Sequence, residues 1–152
     1  MSVAFRRESD DEHLEPKFEL PLPPGPNLVT PRGLQMIGDR VRGLEAAALA
    51  EPDAERRKPI ERDLRYWRTR LSTAEAAPAP APGQIGIGSR VTFRLAGKER
   101  TITITGHDEA DPDAGTIAFS APLARAMIGL EAGELADFNG REDAIEILSV
   151  VS

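Results

Sequence analysis

The sequence predicts an α+β protein in which an antiparallel helical hairpin precedes a small β-sheet domain. Over residues 30–75 the apolar side chains recur at alternating steps of three and four, which is typical of helices that pack as a coiled coil. Residues 90–151 instead contain short segments that alternate polar and apolar positions and are rich in β-branched side chains. The apolar residues thus change from a helical spacing to the alternation of strands, which predicts two structural units.

Two breaks in composition divide the chain into four segments. Residues 1–29 are charged and then proline-rich, which predicts a disordered or loosely docked arm. Residues 30–75 form the predicted hairpin. Residues 76–84 are an Ala-Pro linker, a composition that favours extended polyproline II structure. Residues 85–152 form the C-terminal domain.

The hairpin has a start signal and two apolar seams of equal length. Thr30 suits the N-cap position and Pro31 the first helical position. Pro59 is expected to delay the regular second helix until near Lys58. The seams are Leu34, Ile37, Val41, Leu44 and Ala48, and then Ile60, Leu64, Trp67, Leu71 and Ala74.

The C-terminal domain is predicted to contain strands and one short helix. The expected strands are Arg90–Leu95, Arg100–Thr105, Thr116–Ser120 and Asp143–Val151, and the expected helix is Pro122–Ile128. The glycine-rich stretch Gly83–Gly88 superficially resembles a phosphate-binding loop. Because it precedes a strand instead of a helix, nucleotide binding is disfavoured.

Composition excludes several classes of protein. The chain has 19 basic and 25 acidic residues and no cysteine, which excludes disulfides, thiol nucleophiles and cysteine-bound zinc. Two histidines disfavour a His-rich metal site. No apolar run reaches the ~20 residues of a membrane helix, and the acidic balance argues against a general nucleic-acid coat protein. We expect a cytoplasmic protein with no intrinsic metal or cofactor.

Three stretches resemble the Gre transcript-cleavage factors of bacteria. They are Ile104–Asp111, Gly115–Ile117 and Ser120–Gly129, which follow the order and spacing of that family's V-G-x-x-E-A-D and S-P-[IL]-A-[RK]-A-[LI]-[IL]-G-K-x-x-G-D motifs. The resemblance covers roughly residues 85–151. It departs from the family at Ala121, which is inserted into the Ser-Pro pair, at Leu130 and at Glu134.

The resemblance implies a fold, a partner and a mechanism. Gre factors have an FKBP-like C-terminal domain that docks at the rim of the RNA polymerase secondary channel, and their hairpin enters the channel. Acidic residues at the tip help to hold a second Mg²⁺ at the polymerase active site, where backtracked RNA is cut. The resemblance thus implies a transcription elongation regulator that acts at the secondary channel, where it either promotes cleavage of backtracked RNA or occupies the channel without cleavage. It would not be an enzyme, because any cleavage would use the polymerase active site. It would be a monomer that binds RNA polymerase and contacts nascent RNA and DNA only indirectly, with Mg²⁺ only at the polymerase active site.

The resemblance also implies a docking surface. The side chains concerned are Asp108, Glu109, Asp111, Ser120, Pro122 and Arg125. A solvated acidic turn and plain fold determinants remain the alternative interpretation of these residues. Two interpretations are also open for four arginines on the second helix. They could form a solvated face, or they could contact polymerase or nucleic acid. They are Arg62, Arg65, Arg68 and Arg70.

The hairpin tip departs most from the family. The motif G-D-L-x-E-N-A-E-Y is absent and the hairpin is shorter, so no position matches the family's catalytic carboxylates. Glu51, Asp53 and Glu55 could take a similar place, but Asp53 could equally cap a helix while the other two are solvated. The adjacent Arg56–Lys58 would oppose metal binding.

Two other functions stay open. A regulator like the Rnk proteins shares the C-terminal domain but has a shortened hairpin, and it would occupy the channel or oppose Gre factors without cleavage activity. A peptidyl-prolyl isomerase is suggested by fold analogy alone. Such a site needs an aromatic-lined pocket, and the domain offers only Phe93, Phe119 and Phe138.

Overall fold

The computed structural model describes residues 19–152, so most of the predicted arm lies outside the described residues. The elements are β1 (Leu28–Val29), α1 (Pro31–Ala50), α2 (Ala54–Thr73), β2 (Glu75–Ala76), β3 (Arg90–Leu95), β4 (Lys98–Thr105), a 3-10 turn (Pro112–Ala114), β5 (Thr116–Ala118), α3 (Pro122–Met127), β6 (Leu135–Phe138) and β7 (Arg141–Val151). The predicted α+β class is confirmed.

The chain divides into two compact units, each described by itself. The helical unit comprises the described part of residues 1–25 together with residues 37–73, and the sheet unit comprises residues 26–36 and 74–152. The four segment boundaries drawn from composition stay a prediction. None of the helices in residues 19–152 has the length and apolar character needed to cross a membrane.

The hairpin turn is shorter than predicted. The second helix was expected near Lys58 but begins at Ala54, so only Glu51–Asp53 connect the two helices. Asp53 caps the new first turn, because its Oδ2 accepts a hydrogen bond from the Arg56 backbone N–H at 3.0 Å. Pro59 lies inside the helix, where its missing N–H removes one backbone hydrogen bond near the helix end.

The predicted apolar seams are only partly buried. Ile37, Val41 and Leu64 are buried, as the spacing predicts. Leu34 and Leu71 are exposed, so the prediction was wrong for both. Across the two helices, Arg68 donates to Glu45 at 2.9 Å and the Arg40 guanidinium lies 5.5 Å from the Trp67 ring centroid. Polar and cation–π contacts therefore supplement a narrow apolar seam.

The sheet unit is built on five strands in the order β5-β4-β3-β7-β6. Within this five-stranded sheet the β4–β5 pair is parallel and the other three pairs are antiparallel. The turns Ala96-Gly97 and Asn139-Gly140 have positive φ at both residues, which is the twist that a two-residue hairpin requires. Strand β6 was not predicted, and β4 and β7 each begin two residues earlier than expected.

The core of the sheet unit lies where α3 covers the sheet. Its largest buried side chain is Phe93, at 0 % exposure. In β3 and in the middle of β7 the buried positions alternate with less buried ones, as the period of two predicts. The other buried members are Ile85, Val91, Ile102, Ile104, Ala124, Met127, Ala136, Ile145 and Ile147.

A two-stranded parallel sheet joins the chain before α1 to the chain after α2. Leu28 pairs with Glu75 and Val29 with Ala76. The Ala77 N–H donates to the Val29 carbonyl at 3.0 Å, and Val29 is 5 % exposed. Sequence reasoning did not predict this pairing, which closes the base of the hairpin.

The glycine-rich stretch after the Ala-Pro linker has a structural role. A Cβ at Gly86 would lie 2.7 Å from the Pro80 side chain, so the Ala-Pro segment packs closely against the turn at Gly86. The Gly86 N–H donates to Ser89 Oγ at 2.9 Å, inside the fold. These contacts favour a tight turn, consistent with the argument against nucleotide binding.

Candidate functional site

The loop after β4 contains the first stretch that resembles the Gre motif. At its start, a Cβ on Gly106 would come 2.5 Å from the Leu28 carbonyl oxygen. The loop backbone therefore packs directly on β1, at a distance that only glycine permits. The glycine of the motif serves packing within the sheet unit.

Glu109 is held inside the sheet unit and its side chain is only 13 % exposed. Its Oε1 accepts a hydrogen bond of 2.5 Å from Thr30 Oγ1. The same Thr30 hydroxyl oxygen accepts from the Gly33 N–H at 3.0 Å, which is the N-cap bond of α1. Glu109 therefore fixes the orientation of the hydroxyl that caps the helix.

The Glu109 side chain also lies so close to the first turn of α1 that glycine fits best at position 33. A Cβ at Gly33 would lie 2.9 Å from Glu109 Oε1 and 3.3 Å from Thr30 Oγ1. Arg32 adds a distant ion pair, with its Nε 3.9 Å from Glu109 Oε2. We name these four residues the cap cluster: Thr30, Arg32, Gly33 and Glu109.

Replacing Thr30 by valine tests the cap cluster. Thr30→Val keeps the shape but removes the hydroxyl, so we expect the free energy of unfolding to fall by about 1–2 kcal/mol. Urea denaturation measures the loss. Thr69→Val is the matched control, because the Thr69 hydroxyl makes an exposed hydrogen bond to the Arg65 carbonyl within the same helix, and we expect a change within about 0.5 kcal/mol. Equal losses in the two variants would show that the cap cluster contributes nothing.

The second motif stretch meets the first through a histidine. His107 Nε2 lies 2.7 Å from Ser120 Oγ, and the His107 ring packs edge-on against Phe119 with centroids 5.0 Å apart. The inserted Ala121 occupies the N-cap of α3 and forms no side-chain cap. The insertion thus separates the Ser120 hydroxyl from the cap position next to Pro122 and leaves it bonded to His107. No pattern in the sequence predicted this contact, because the two residues lie 13 positions apart in separate motif stretches.

The predicted docking residues differ in exposure. Asp111, Ser120, Pro122 and Arg125 are exposed, whereas Asp108 and Glu109 are half-buried. Asp111 also caps the 3-10 turn through its Oδ1, which accepts from the Asp113 N–H at 3.2 Å. The His107–Ser120 bond places the two motif loops side by side. Their assignment as a docking surface stays a prediction.

Each predicted tip carboxylate has a local hydrogen-bond partner. Glu51 Oε2 accepts from the Asp53 N–H at 3.2 Å. Asp53 is the cap of α2, and Glu55 Oε1 accepts from Lys58 Nζ at 3.2 Å. Within the described residues, no group of three or more His, Asp or Glu side chains is arranged to hold a metal ion.

The charge at the tip is mixed. Arg57 donates from Nε to the Glu51 carbonyl at 3.0 Å and from Nη2 to the Pro52 carbonyl at 3.1 Å. Its guanidinium therefore lies over the turn that connects the helices. A cation in this position opposes the approach of Mg²⁺ to the neighbouring carboxylates.

The arginines predicted on α2 have acidic neighbours. Arg62 lies 3.2 Å from Asp63, and Arg68 lies 2.9 Å from Glu45. Arg65 contacts Glu19 Oε1 through Nε at 2.8 Å and through Nη2 at 2.7 Å. Hydrogen bonding to the Glu19 carboxylate raises the pKa of Arg65. Arg70 is buried, so it is not part of a solvated face.

Comparison with known proteins decides the family. The family model described as transcription elongation factor, GreA/GreB, C-term, matches residues 79–152. The transcription elongation factor GreA of Cereibacter sphaeroides is 38% identical over 108 residues, which cover 66% of this chain and 72% of that protein. The chain belongs to the GreA/GreB family of transcription elongation factors. The GreA of Alkalilimnicola ehrlichii is 33% identical over 129 residues, 79% of this chain and 82% of that protein.

One solved structure of the GreA/GreB family is also similar. The GreA/GreB elongation factor from Nitrosomonas europaea has 18% sequence identity and a TM-score of 0.41, and the match covers 85% of this chain and 100% of that one.

Membership in the GreA/GreB family confirms the central functional prediction. This chain is an RNA polymerase-binding transcription elongation factor. Such factors act through RNA polymerase and have no catalytic site of their own, so the non-enzyme prediction is also confirmed. The comparisons favour neither of the two alternatives, the Rnk-like or anti-Gre regulator and the peptidyl-prolyl isomerase.

Proposed function

We propose that this elongation factor binds at the secondary channel of RNA polymerase and occupies it without strongly stimulating transcript cleavage. It acts as a monomer in the cytoplasm, and its contacts with nascent RNA and DNA are indirect. The observation that carries the proposal is the tip, where Glu51, Asp53 and Glu55 each have a local partner and Arg57 covers the turn.

The chemistry of cleavage explains why the tip matters. Two-metal hydrolysis needs carboxylate oxygens that coordinate Mg²⁺ and a water. In this chain Asp53 would have to release the cap of α2, and Glu55 would have to release Lys58. Because the tip residues do not fit a metal site, any Mg²⁺ in the complex would be held by the polymerase active site.

Docking by the C-terminal domain is supported by the extent of the family match. The matched residues 79–152 contain all six predicted docking side chains. Among them Ser120, Pro122 and Arg125 are exposed on the α3 side of the His107 contact. They are the strongest candidates for contact with polymerase, whereas Glu109 is occupied by the cap cluster.

A cleavage assay on backtracked elongation complexes tests the proposal. We expect the factor to leave the intrinsic cleavage rate unchanged and to compete with a cleavage-active GreA for the complex. Asp53→Ala and Glu55→Ala should leave both results unchanged, because neither carboxylate reaches the metal. Arg125→Ala should weaken the competition.

The opposite pattern identifies a cleavage factor. Rapid cleavage by the natural sequence, lost in Asp53→Ala and Glu55→Ala, would overturn the proposal. Circular dichroism of each variant controls for folding, since loss of the Asp53 cap alone is expected to cost about 1 kcal/mol. Binding is measured separately by co-purification with core polymerase, so loss of binding and loss of cleavage are distinguishable.

A further inference from the structure

A pocket of about 240 Å³ lies in the sheet unit, where the chain leaves the 3-10 turn beside β4. Its lining contains one cationic side chain and two hydroxyl groups but no carboxylate. Most sites for drug-sized ligands have volumes of about 300–1,000 Å³, so this pocket suits a smaller group. We call it the β4 pocket, and its lining residues are Arg90, Thr101, Ile102, Thr103, Ala114 and Gly115.

The strand register brings the polar side chains of the β4 pocket together. Arg90 at the start of β3 lies directly opposite Thr103 on β4, which places their Cβ atoms about 5 Å apart. Thr101 lies two residues along β4 and therefore on the same face of the sheet. Because Val91 and Ile102 are buried in the core, these three side chains lie on the opposite face, away from the core.

The charge of Arg90 is not neutralised within the sheet unit. Its guanidinium has no ion-pair or hydrogen-bond partner among residues 19–152. Arg94 lies on the same face of β3 and differs in this respect, because it donates to Glu146 Oε1 at 2.8 Å. The acidic residue nearest to the pocket along β4 is Glu99, which lies opposite Arg94 and does not line the pocket. The β4 pocket thus contains a positive charge without a counter-charge.

The hydroxyl groups of the β4 pocket can also bind a ligand. The Thr103 hydroxyl has no hydrogen-bond partner in the described part of the chain. The Thr101 hydroxyl shares a single hydrogen bond of 3.0 Å with Thr92 Oγ1 and keeps capacity for another. The opposite wall is fixed by the backbone, because the Thr103 N–H donates to the Gly115 carbonyl at 2.9 Å. The pocket is therefore formed before any ligand binds.

A tetrahedral phosphate matches these donors better than a planar carboxylate does. The arginine guanidinium holds its N–H groups in a fixed fork that bonds two oxygens of one anion. In a carboxylate both oxygens face this fork. A phosphate has further oxygens that point toward the hydroxyls on β4, so it can accept from both strands at once.

We propose that the β4 pocket binds a phosphate group, free or as the monoester of a small molecule, through the Arg90 guanidinium and the Thr101 and Thr103 hydroxyls. All of these residues belong to the sheet unit. None of them is a predicted docking residue or part of the hairpin tip, so the site does not depend on the function proposed above. Because Arg90 is exposed, binding is reversible and weakens as the salt concentration rises.

Titration of the full-length protein with inorganic phosphate tests the site. We expect saturable changes in the amide NMR signals of Thr101, Thr103 and Gly115. Arg90→Met should weaken phosphate binding by about tenfold, since it removes the charge-assisted hydrogen bonds and keeps an unbranched side chain. The absence of saturable changes in the natural sequence would overturn the proposal.

Two further variants separate a specific site from general attraction of anions. Arg94→Met is the matched control, because it removes an equally exposed arginine from the same face of β3 outside the pocket, and it should change the affinity less than twofold. Thr103→Val keeps the β-branched shape that suits a strand and should weaken binding several-fold. Equal losses in Arg90→Met and Arg94→Met, or an unchanged affinity in Thr103→Val, would refute the site.

Titrations with adenosine monophosphate and with acetate define the ligand. Tighter binding of adenosine monophosphate than of phosphate, with the same loss in Arg90→Met, would identify a phosphate monoester as the ligand. Equal or weaker binding would identify free phosphate. Acetate should bind at least tenfold more weakly than phosphate, and acetate binding of equal strength would overturn the assignment to phosphate.

Discussion

Phe93→Ala is expected to destabilise the sheet unit by about 3–5 kcal/mol. Phe93 is fully buried and lies opposite Arg100 on β4 and Ile147 on β7. A β-bulge beside it shifts the β3–β7 register between Thr92 and Phe93. No neighbouring strand can move into the space left by the ring without breaking this register, so a cavity would remain.

Urea unfolding followed by far-UV circular dichroism measures the Phe93 effect. Small domains have a total stability of about 5–15 kcal/mol, so the loss would be a large share of the whole. Leu135→Ala on β6 is the control, because Leu135 is 50 % exposed and truncation should cost below about 1 kcal/mol. Similar losses in the two variants would contradict a core centred on Phe93.

Gly106→Ala is expected to cost about 1–3 kcal/mol through overpacking. The new Cβ would meet the Leu28 carbonyl oxygen at 2.5 Å, and a backbone atom cannot rotate away as a side-chain end can. The β1–β2 pair must therefore shift. Hydrogen exchange should locate the damage, with faster exchange of the Glu75 and Ala77 amides, which donate to the Asn27 and Val29 carbonyls.

Gly43→Ala provides a control of opposite sign. Gly43 lies inside α1 with open space around its Cβ position, so alanine should raise stability by up to about 1 kcal/mol. If Gly106→Ala behaved like Gly43→Ala, the close approach of β1 to the motif loop would be refuted.

Alternation of polar and apolar residues, helix caps and turn residues predicted those elements whose bounds depend on neighbouring residues in the sequence. Strand β3 has the predicted bounds, Arg90–Leu95, because its alternation is regular. The restriction at Pro59 predicts a start of α2 near Lys58, but the helix begins at Ala54 because Asp53 caps its first turn. Strand β6 lacks β-branched residues, although the Asn139-Gly140 turn that follows it is a signal that could have found it.

Contacts between distant parts of the chain could not be predicted in this way. The Thr30–Glu109 bond joins residues 79 positions apart, and β1 is only two residues long. The motif residues 104–111 resembled a docking loop, yet Gly106 and Glu109 are occupied by internal packing. In this chain the segment that contains Leu28 and Thr30 packs over Gly106 and Glu109, and the motif alone does not predict that contact.

The small β1–β2 sheet has a consequence for how this family can vary. The small sheet pairs the residues that precede α1 with those that follow α2, so the two ends of the hairpin are held together. Whole heptads could then be added to or deleted from both helices in step, while the base and the C-terminal domain keep their contacts. Closing a longer loop adds only about 0.6 kcal/mol for each doubling of its length. The length of the hairpin can therefore change while the contacts of the sheet unit stay as they are.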